Sequence, residues 1–574
     1  MSGRTESLMP SHLNDLPGML LRSRGMLLLM AILLAACGGG GSGPTEPAMS
    51  GPEPTLSAMS LSVGDLDQPF QASQRSYTAT QPHLVAEFRV LIDAPNASKR
   101  LRVAGRDVTP GEPSEPLPLN VGSNRIEIEV ERQDPPAVGT YHVDVERRAA
   151  NSVVTTAELR EGDGLPFDSF QGPMVLNRDR LALATRLGSD PALRDVRVFR
   201  RDGETWVEEA VIPAPVPERP GGFGAALALH DDVLVVGAPF DDNRGLDPES
   251  DVPPLAGAAY VYRREGATWA LEASLFPPDP QMQHFFGRSA AVHGTHLVLG
   301  APSVTVSDEE GEKLLAGAVY VYAREDGSWQ LTTRLTAPEP AEGAFFGSSL
   351  ALDASHLIVT APREGAGLPQ MCEPDPGPFF SGCPDEGPGA LYVYTVEGDT
   401  PGEPIRIDSQ ETGGSGRLGT MLAFDARRIA AAAPMAEPDG AVVIWRLTAE
   451  GWLQEAVLRP PPGVTLPGIG SALDMAQGVV AVGVPMDDDG ATGFDAAPTG
   501  TVVRENGAVL LFERSESTWL APILVKPQVA LERQRFGELV ALDAGLLVVS
   551  QQPLAGARTF PVTTEAEHAV FIME

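Results

Sequence analysis

The sequence is poor in cysteine and in basic side chains. Three cysteines occur among 574 residues, and 42 lysines and arginines stand against 77 aspartates and glutamates, which gives a net charge of -35. A chain of this charge repels nucleic-acid phosphates and anionic lipid headgroups, so neither is expected as a partner. Hydrophobic residues nevertheless make up 43% of the chain, and this content is sufficient for large folded cores.

The chain also lacks the short motifs of common enzyme sites. It contains no nucleophile elbow, no phosphate-binding loop and no HExxH pair. No metal-ligand spacing from carboxylates is found for the histidines His284, His293, His296 and His356. We therefore expect no catalytic residue, and we expect that the protein is not an enzyme.

The apolar run near the N-terminus is too short to cross a bilayer. Residues 26–36 form this run, with Arg22 and Arg24 before it and Cys37 and Gly38 after it. A run of this length behind basic residues is typical of a signal-peptide core. The end of the run, Leu-Ala-Ala-Cys37, resembles the lipobox of bacterial lipoproteins, in which the cysteine carries the lipid. The alternative is ordinary secretion with an incidental cysteine.

This resemblance implies an export signal and a lipid anchor. Residues 1–36 would be the signal peptide, Cys37 the lipidated N-terminus, and residues 37–54 a flexible tether rich in Gly, Ser and Pro. Gly38 stands where an aspartate would indicate inner-membrane retention in that family. We therefore expect a protein of the bacterial cell envelope, anchored by its lipid alone, at the outer membrane or the cell surface. The start of translation, Met1 or Met19, stays open.

Residues 55–148 predict a small β-sandwich. Apolar and polar residues alternate over residues 85–92, 101–103, 125–130 and 141–145, and turn residues separate these runs. Several short strands of period two within one such segment are typical of a two-layer sheet structure. Its phrases Leu-Ser-Val-Gly-Asp-Leu and Leu-Asn-Val-Gly-Ser-Asn resemble bacterial cadherin-like domains. The resemblance implies a spacer or an adhesive module.

A phrase of four parts recurs along residues 151–574. Its clearest copy reads Phe223-Gly224, then residues 233–239, then residues 257–262, then Trp269. β-branched and aromatic residues dominate all four parts, so each repeat predicts four strands, with strand one beginning at Phe-Gly. Four strands in each repeat of about 50–70 residues are typical of the blades of a β-propeller.

The spacing between repeats predicts how the ring closes. Seventeen positions separate Trp269 from the next start at Phe286, and the same step recurs in other repeats. The last repeat stops after its third strand, at residues 569–572. The same step counted back from the first start, Phe170, leads to residues 153–159, which we predict to supply the missing strand. The seven starts are Phe170, Phe223, Phe286, Phe346, Leu418, Ile469 and Phe536.

The Phe-Gly and Gly-Ala-Pro phrases resemble FG-GAP repeats, so residues 151–574 resemble the seven-bladed propeller of integrin α chains. In that family, calcium loops of the form Asp-x-Asp-x-Asp-Gly lie between strands one and two. Here these connections are short, as in residues 229–233, 352–356 and 542–545. They leave no room for the six to eight oxygens that calcium takes, so no cofactor is expected there.

The long and acidic connections of the repeats are mainly those between strands two and three. In a four-stranded blade these connections all emerge on one face, which marks it as the binding face. The candidate residues of that face are Asp241, Asp242, Asp247, Asp251, Asp308, Glu309, Asp487, Asp488 and Asp489. A weak calcium site at Asp487, Asp489 and Asp495 is one interpretation of the acidity, and solvated acidic loops are the other. Cys372 and Cys383 lie in the longest connection, and we expect them to form a disulfide bond.

These patterns predict an all-β protein: a small β-sandwich, then a seven-bladed β-propeller of four-stranded blades, closed by an N-terminal strand at about 153–159. We expect a monomeric, non-catalytic binding or adhesion module that engages a protein or a polysaccharide through its acidic loops. The alternatives are a hydrolase, since propellers also host enzymes, and a structural or assembly component of the envelope. The sequence does not identify the ligand.

Overall fold

The computed structural model describes residues 53–95, 100–133, 136–160, 172–186, 194–216, 221–241, 255–309, 311–366, 387–408, 416–425, 427–437, 439–461, 469–551 and 569–574. Within these ranges the chain is all-β apart from one 3-10 turn at Ala150–Ser152. No helix in these ranges has the length and hydropathy needed to cross a membrane. Cys37, Phe170, Asp242, Asp247, Asp251, Cys372 and Cys383 lie outside the described residues.

Nine strands of the described residues form the N-terminal sandwich. They are β1 (Ala58–Leu61), β2 (Ser76–Gln81), β3 (Glu87–Phe88), β4 (Val90–Asp93), β5 (Arg100–Val103), β6 (Arg106–Val108), β7 (Leu117–Pro118), β8 (Gly122–Gln133) and β9 (Pro136–Arg147). One sheet has the order β2-β9-β8-β5-β6, and the pairs β1-β4 and β3-β7 complete the layers. β2 pairs with β9 in parallel and the other pairs are antiparallel. The predicted alternation is confirmed, because Ile126, Ile128 and Val130 of β8 point into the sandwich core.

One predicted strand of the sandwich is wrong. Residues 85–92 do not form a single strand, because β3 begins only at Glu87 and Arg89 interrupts the run before β4. The apolar side chains of Leu84, Val85 and Ala86 are fully buried. Leu84 and Ala86 belong to a core formed mainly by propeller residues. Their burial against another domain mimics the pattern of a buried strand.

The propeller sheets, called blades here, follow one after another along the chain. Blade 1 contains β11 (Met174–Asn177), β12 (Arg180–Arg186), β13 (Arg194–Asp202) and β14 (Thr205–Pro213), and blade 2 contains β15 (Ala226–His230), β16 (Val233–Ala238), β17 (Ala258–Glu265) and β18 (Thr268–Leu275). Blade 3 contains β19 (Ser289–His293), β20 (His296–Ala301), β23 (Ala318–Glu325) and β24 (Ser328–Leu335), with a hairpin of β21 (Val306–Asp308) and β22 (Gly311–Lys313) inserted after β20.

Blades 4 and 6 have an interrupted outer strand. Blade 4 contains β25 (Leu350–Leu352), β26 (His356–Ala361), β27 (Ala390–Glu397), β28 (Thr400–Pro401) and β29 (Ile405–Ile407). Blade 5 contains β30 (Leu422–Asp425), β31 (Arg428–Ala433), β32 (Ala441–Thr448) and β33 (Gly451–Leu458). Blade 6 contains β34 (Ala472–Ala476), β35 (Val479–Val484), β36 (Ala508–Ser515), β37 (Thr518–Trp519) and β38 (Ile523–Val525).

The last sheet is shared by the two ends of the propeller. Blade 7 contains β39 (Val540–Asp543), β40 (Leu546–Gln551), β41 (Ala569–Met573) and, as its outer strand, β10 (Thr155–Arg160). β10 pairs antiparallel with β41, from Thr155 opposite Met573 to Arg160 opposite Ala569. The innermost strands contact one another in the order β11, β15, β19, β25, β30, β34, β39 and back to β11. The described residues therefore form a β-propeller.

The predicted start of strand one is wrong by a few residues. In blade 2 the strand begins at Ala226 rather than at Phe223. The glycine of each Phe-Gly pair has a positive φ, 86° at Gly224 and 80° at Gly287, and extended backbone does not take this conformation. The Phe-Gly pair belongs to the connection that enters the blade. Strands two, three and four lie where the repeats predict them in blade 2.

Carboxylates on the outermost strands connect neighbouring blades. Glu272 of β18 accepts hydrogen bonds from Arg263 Nε of its own blade (2.7 Å) and from Arg324 Nε (3.0 Å) and Trp329 Nε1 (2.9 Å) of the next blade. Glu209 of β14 accepts the same kind of bond from the tryptophan of blade 2. Burial alone would raise the pKa of Glu272, but these three donors outweigh burial and lower the pKa to about 2.

Candidate functional site

The strand order of the blades gives the propeller two different faces. The connections between strands two and three and from strand four to the next blade form the loop face. Its described residues are 214–216, 221–225, 239–241, 255–257, 276–288, 302–309, 311–317, 336–349, 362–366, 387–389, 408, 416–421, 434–437, 439–440, 459–461, 469–471, 485–507 and 526–539. The tight turns within each blade form the opposite, turn face, which comprises residues 178–179, 203–204, 231–232, 266–267, 294–295, 326–327, 353–355, 398–399, 427, 449–450, 477–478, 516–517 and 544–545.

The Phe-Gly pairs connect the loop face from blade to blade. Phe346 forms a parallel bridge with Gly317, and its amide donates to the carbonyl of Ala316 (2.9 Å). The same bridge joins Phe286 to Gly257 and Phe536 to Gly507. Each bridge joins the entrance of one blade to the base of the preceding blade's long connection. The phrase that dominates the sequence therefore supports the loops of this face.

Asp241 has a structural role at the base of its loop. Its carboxylate accepts a hydrogen bond from the hydroxyl of Tyr260 at 2.6 Å. Tyr320 and Tyr392 make the equivalent bonds to Asp279 and Glu364 at 2.8 Å and 2.6 Å. Burial, together with the nearby carboxylate, raises the pKa of all three phenols. They therefore stay protonated and keep donating to these carboxylates.

Asp308 and Glu309 are the exposed residues that the sequence predicts for the loop face. Asp308 ends β21 and Glu309 follows it in the turn of the β21–β22 hairpin. Both side chains are exposed to solvent. A hairpin holds its tip in a fixed position because its two strands pair along their length. The structure thus places these two carboxylates on a defined projection of the loop face.

Asp487 is buried inside its loop. Its carboxylate contacts the ammonium group of Lys526, which is itself fully buried. Burial raises the pKa of Asp487 even though Lys526 opposes the shift. A buried pair of this kind satisfies both charges internally, so we assign Asp487 a role in holding the loop.

Asp488 and Asp489 shape the same loop in different ways. Asp488 is exposed, and one oxygen accepts the amide of Glu505 at 2.7 Å. Asp489 accepts the amides of Thr499 (3.0 Å) and Gly500 (2.8 Å). Partial burial opposes ionisation of Asp489, but these amides outweigh it and hold its pKa below the usual value. The Asp489 oxygens are therefore taken by the loop backbone.

The structure does not bring the three calcium candidates into one cluster. Asp487 faces Lys526, Asp489 faces backbone amides, and Asp495 is exposed at a separate turn with a φ of 53°. In the part of the chain that the structure describes, no group of three His, Cys, Asp or Glu side chains could hold a metal ion. Calcium binding at these residues stays a prediction without support from this geometry.

One carboxylate on an inner strand has a strongly shifted pKa. Burial raises the pKa of Asp474 to about 7, and Asp543 and Asp425 add to the shift. The two oxygens of Asp474 accept the amides of Leu542 and Met475, at 2.7 Å and 2.8 Å. The bond to Leu542 joins the inner strands of blades 6 and 7. The geometry therefore supports a structural role for Asp474.

The loop face also carries exposed apolar residues that sequence analysis missed. They are Met282, Leu314, Met435, Met486, Val502 and Val529. Every methionine that is exposed within the described ranges lies on this face. The sequence signal would have been large apolar residues inside Pro- and Gly-rich connections, where no strand pattern explains them.

The sandwich contacts the turn face, and its His83 also contacts Phe494 of the connection 485–507, with the ring centroids 6.2 Å apart. The amides of Ala86 and Glu87 donate to the carbonyl of Gln477, at 3.0 Å and 2.8 Å. Gln477 lies in the turn between the first two strands of blade 6. A Cβ atom on the neighbouring Gly478 would approach Glu87 Cγ to 2.7 Å. The sandwich therefore covers part of the turn face, and the exposed apolar residues of the loop face remain open to solvent.

Comparison with known proteins identifies two kinds of module in this chain. Residues 55–148 match the family model of the cadherin-like beta sandwich domain. Residues 206–262 and 269–322 match the model of the FG-GAP repeat. No curated protein sequence matches the chain.

One similar solved structure is the beta-propeller domain of the Trilobed protease from Pyrococcus furiosus, described as having an open velcro topology. It shares 10% sequence identity with this chain, the match covers 67% of this chain and 92% of that chain, and the TM-score is 0.35. This similarity is too distant to support an argument about function.

Proposed function

We propose that this protein is a non-catalytic binding or adhesion module of the bacterial cell envelope. In this proposal a closed seven-bladed propeller engages a protein ligand through its loop face, and Cys37 carries the lipid that anchors the chain. The cadherin-like and FG-GAP matches support an adhesion-type module built on a propeller. The observation that carries the proposal is the group of exposed apolar side chains on the loop face.

These side chains support a protein ligand more than a polysaccharide. Methionine is enriched at protein interfaces because its flexible thioether adapts to different partners. Met282, Met435 and Met486 each expose 44% or more of their surface on the loop face. Sugar rings, in contrast, stack on exposed aromatic faces. The exposed large hydrophobic side chains of the described residues include no Phe, Tyr or Trp.

The charge of the loop face indicates a basic partner. Its exposed carboxylates are Asp308, Glu309, Glu312, Glu339, Asp408, Glu437, Asp488, Asp495 and Glu532. Its exposed basic residues, within the described ranges, are Arg504 and Arg533. Complementary charge accelerates encounter and selects among partners. We expect the ligand to be a protein that presents an apolar patch surrounded by lysine and arginine.

A variant series on the full chain tests this proposal. The immobilised chain is exposed to separate envelope protein and envelope polysaccharide fractions, and the retained protein is purified and its Kd measured. Met435→Asp and Met486→Asp each introduce a charge into an exposed apolar site. We expect each to weaken binding by about 10-fold or more, as is usual for an interfacial anchor. Raising the salt from about 0.05 to 0.5 M should slow association.

Val138→Asp is the matched control. Val138 is an apolar residue at least as exposed (52%) as Met435 and Met486 (44% each), but it lies on β9 of the sandwich. Its substitution should leave the Kd within about 2-fold of the unsubstituted value. Equal loss in the control and the loop-face variants would contradict the proposal. Retention from the polysaccharide fraction alone would contradict a protein ligand.

A further inference from the structure

The chain enters the sandwich at the end that is remote from the propeller. The carbonyl of Pro54 accepts hydrogen bonds from Arg75, and the amide of Leu56 donates to the hydroxyl of Tyr141 at 3.0 Å. A Cβ atom on Gly139 would lie only 2.1 Å from the Pro54 carbonyl oxygen. Gly139 and Tyr141 lie near the start of β9, so residues 54–56 are held at that end.

The other end of β9 enters the contact with the propeller. β9 runs from Pro136 to Arg147, and twelve extended residues span about 40 Å. Arg147 donates through Nε to the carbonyl of His83 (2.9 Å) and through Nη2 to Glu513 of β36 (2.9 Å). The long axis of the sandwich, along β9, therefore runs from the point of chain entry to the turn face.

An apolar segment of the sandwich is inserted between propeller turns. The side chains of Leu84, Val85 and Ala86 are fully buried. Leu84 and Ala86 share a core with Val479, Ala481 and Leu547 of blades 6 and 7, and Val153 of the connecting segment packs into the same core. Apolar burial of this kind is typical of a domain core rather than of a mobile contact.

Two arginines of the propeller bridge carboxylates of both domains. Arg428 contacts Glu87 of the sandwich at 2.8 Å and Glu455 of the propeller at 2.9 Å. Arg514 makes the same two contacts. All four side chains are nearly or fully buried. A buried ionic network of this kind requires one relative geometry, because any displacement leaves charges unpaired.

A second ionic cluster lies beside the first. Glu513 contacts Arg147 at 2.9 Å and His83 Nε2 at 2.6 Å, and all three side chains are buried. Burial opposes ionisation of Glu513, but the bond to His83 and the charge of Arg147 outweigh it and lower its pKa. The other ring nitrogen of His83 lies 3.2 Å from the carbonyl of Arg148. The contact thus also includes the segment that connects the two domains.

We infer that the cadherin-like sandwich is a rigid stalk, locked onto the turn face, which holds the loop face directed away from the point of chain entry at residue 53. Glu87 and Glu513 are the positioning residues of this lock. If the chain is anchored through its N-terminus, the stalk presents the loop face outward. That presentation rests on the proposed function, whereas the rigidity can be measured without any ligand.

Distance measurements on the full chain test the lock. Val138, at the remote end of the stalk, and Val529, on the loop face, are both exposed. A ketone-bearing residue is introduced at each position, and a spin label is attached to each ketone. Pulsed electron resonance should give a single narrow distance distribution. In the double variant Glu87→Gln, Glu513→Gln the distribution should broaden. The matched control Glu129→Gln removes a sandwich carboxylate that pairs with Arg102, away from the contact, and should keep the narrow distribution.

A broad distribution in the unsubstituted chain would overturn the inference, and so would an unchanged narrow one in the double variant. Hydrogen exchange of the unsubstituted chain decides the question if the double variant does not fold. The amides of Ala86 and Glu87 donate to Gln477 across the contact. They should exchange at least about 100-fold more slowly than unstructured amides. Fast exchange at these two amides would overturn the lock even where ligand binding is intact.

Discussion

At the residue scale, the recurring glycines have a steric role. Gly317 has a φ of 92°, and a Cβ atom there would lie 2.1 Å from the carbonyl oxygen and 2.6 Å from the amide nitrogen of Phe346. No side chain can replace hydrogen at this position without moving the backbone of the next blade. The repetition of this glycine in the sequence is therefore a consequence of close packing between blades.

Gly317→Ala should destabilise the propeller by about 3 kcal/mol or more, because the backbone of Phe346 cannot yield as a flexible side chain would. Gly327→Ala is the matched control. Gly327 also has a positive φ of 84°, but the nearest atom to its Cβ would be Arg324 Nη2 at 3.8 Å. It should cost about 1–2 kcal/mol, the left-handed penalty alone. Denaturant midpoints of the two variants measure the difference, and equal midpoints would contradict the steric account.

At the element scale, the outermost strands are joined by charge as well as by packing. Glu272 accepts three donors, two of them from the next blade. Its folded pKa of about 2 lies below the ordinary value of 4.5. The stability that this ionised carboxylate contributes is therefore fully present above about pH 4.5. It is lost as the pH falls toward 2.

Glu272→Gln should lower the free energy of unfolding by about 2–3 kcal/mol at pH 7, because Arg263 and Arg324 lose their counter-charge. The difference from the unsubstituted chain should shrink as the pH falls toward 2, where the carboxyl is protonated in the unfolded state and becomes protonated in the folded state as well. Chemical unfolding at pH 7 and at pH 3 measures this trend. Glu265→Gln, an exposed site at the end of β17, should change stability by less than about 0.5 kcal/mol. A pH-independent loss for Glu272→Gln would refute the charge argument.

At the scale of the whole molecule, both ends of the propeller contribute to one sheet. β41 lies between β10 and β40 and pairs with both. The side chains of Val570 and Ile572 on this strand are fully buried. A ring that is joined in this way has no independent terminal blade, so it should unfold as a unit, unlike an open array of repeats.

Removal of residues 569–574 should therefore destabilise the entire propeller and not blade 7 alone. Each buried apolar side chain contributes about 1.5–3 kcal/mol, and the four side chains of Val570, Phe571, Ile572 and Met573 together approach the total stability of a typical domain. Scanning calorimetry should show loss of the main transition. Glu574→Ala, which removes only a partly exposed pair with Arg201, should shift Tm by a few degrees at most. A truncated chain that keeps most of its unfolding enthalpy would show that the blades unfold separately.

Local patterns account for the part of the fold that could be predicted. Alternation, β-branched residues and turn glycines place strands two, three and four of blade 2, since each strand is encoded within a few residues. Strand one is misplaced because the positive φ of Gly224 or Gly287 depends on the contact with a neighbouring blade. The Phe-Gly phrase is conspicuous as a sequence pattern, but only the packing shows that it belongs to the connection.

The candidate site was predicted less well, for a physical reason. A carboxylate in an acidic loop has the same sequence signal whether it is solvated or paired. Asp487 pairs with Lys526, 39 positions away, and Asp241 with Tyr260, whereas Asp488 is exposed and accepts a backbone amide. Only the placement of distant residues distinguishes these states.

The sequence by itself determined the all-β class, the repeat of four strands and the two kinds of module. These properties follow from local periodicity, which can be recognised in the sequence without knowledge of the tertiary contacts. Only the tertiary structure decided which face of the propeller the sandwich covers, because the contact of Glu87 with Arg428 joins residues 341 positions apart. It also decided that the loop face combines carboxylates with exposed methionines, since this surface is assembled from connections that share no pattern. Burial and charge at such surfaces depend on the whole fold, and so does the function proposed for them.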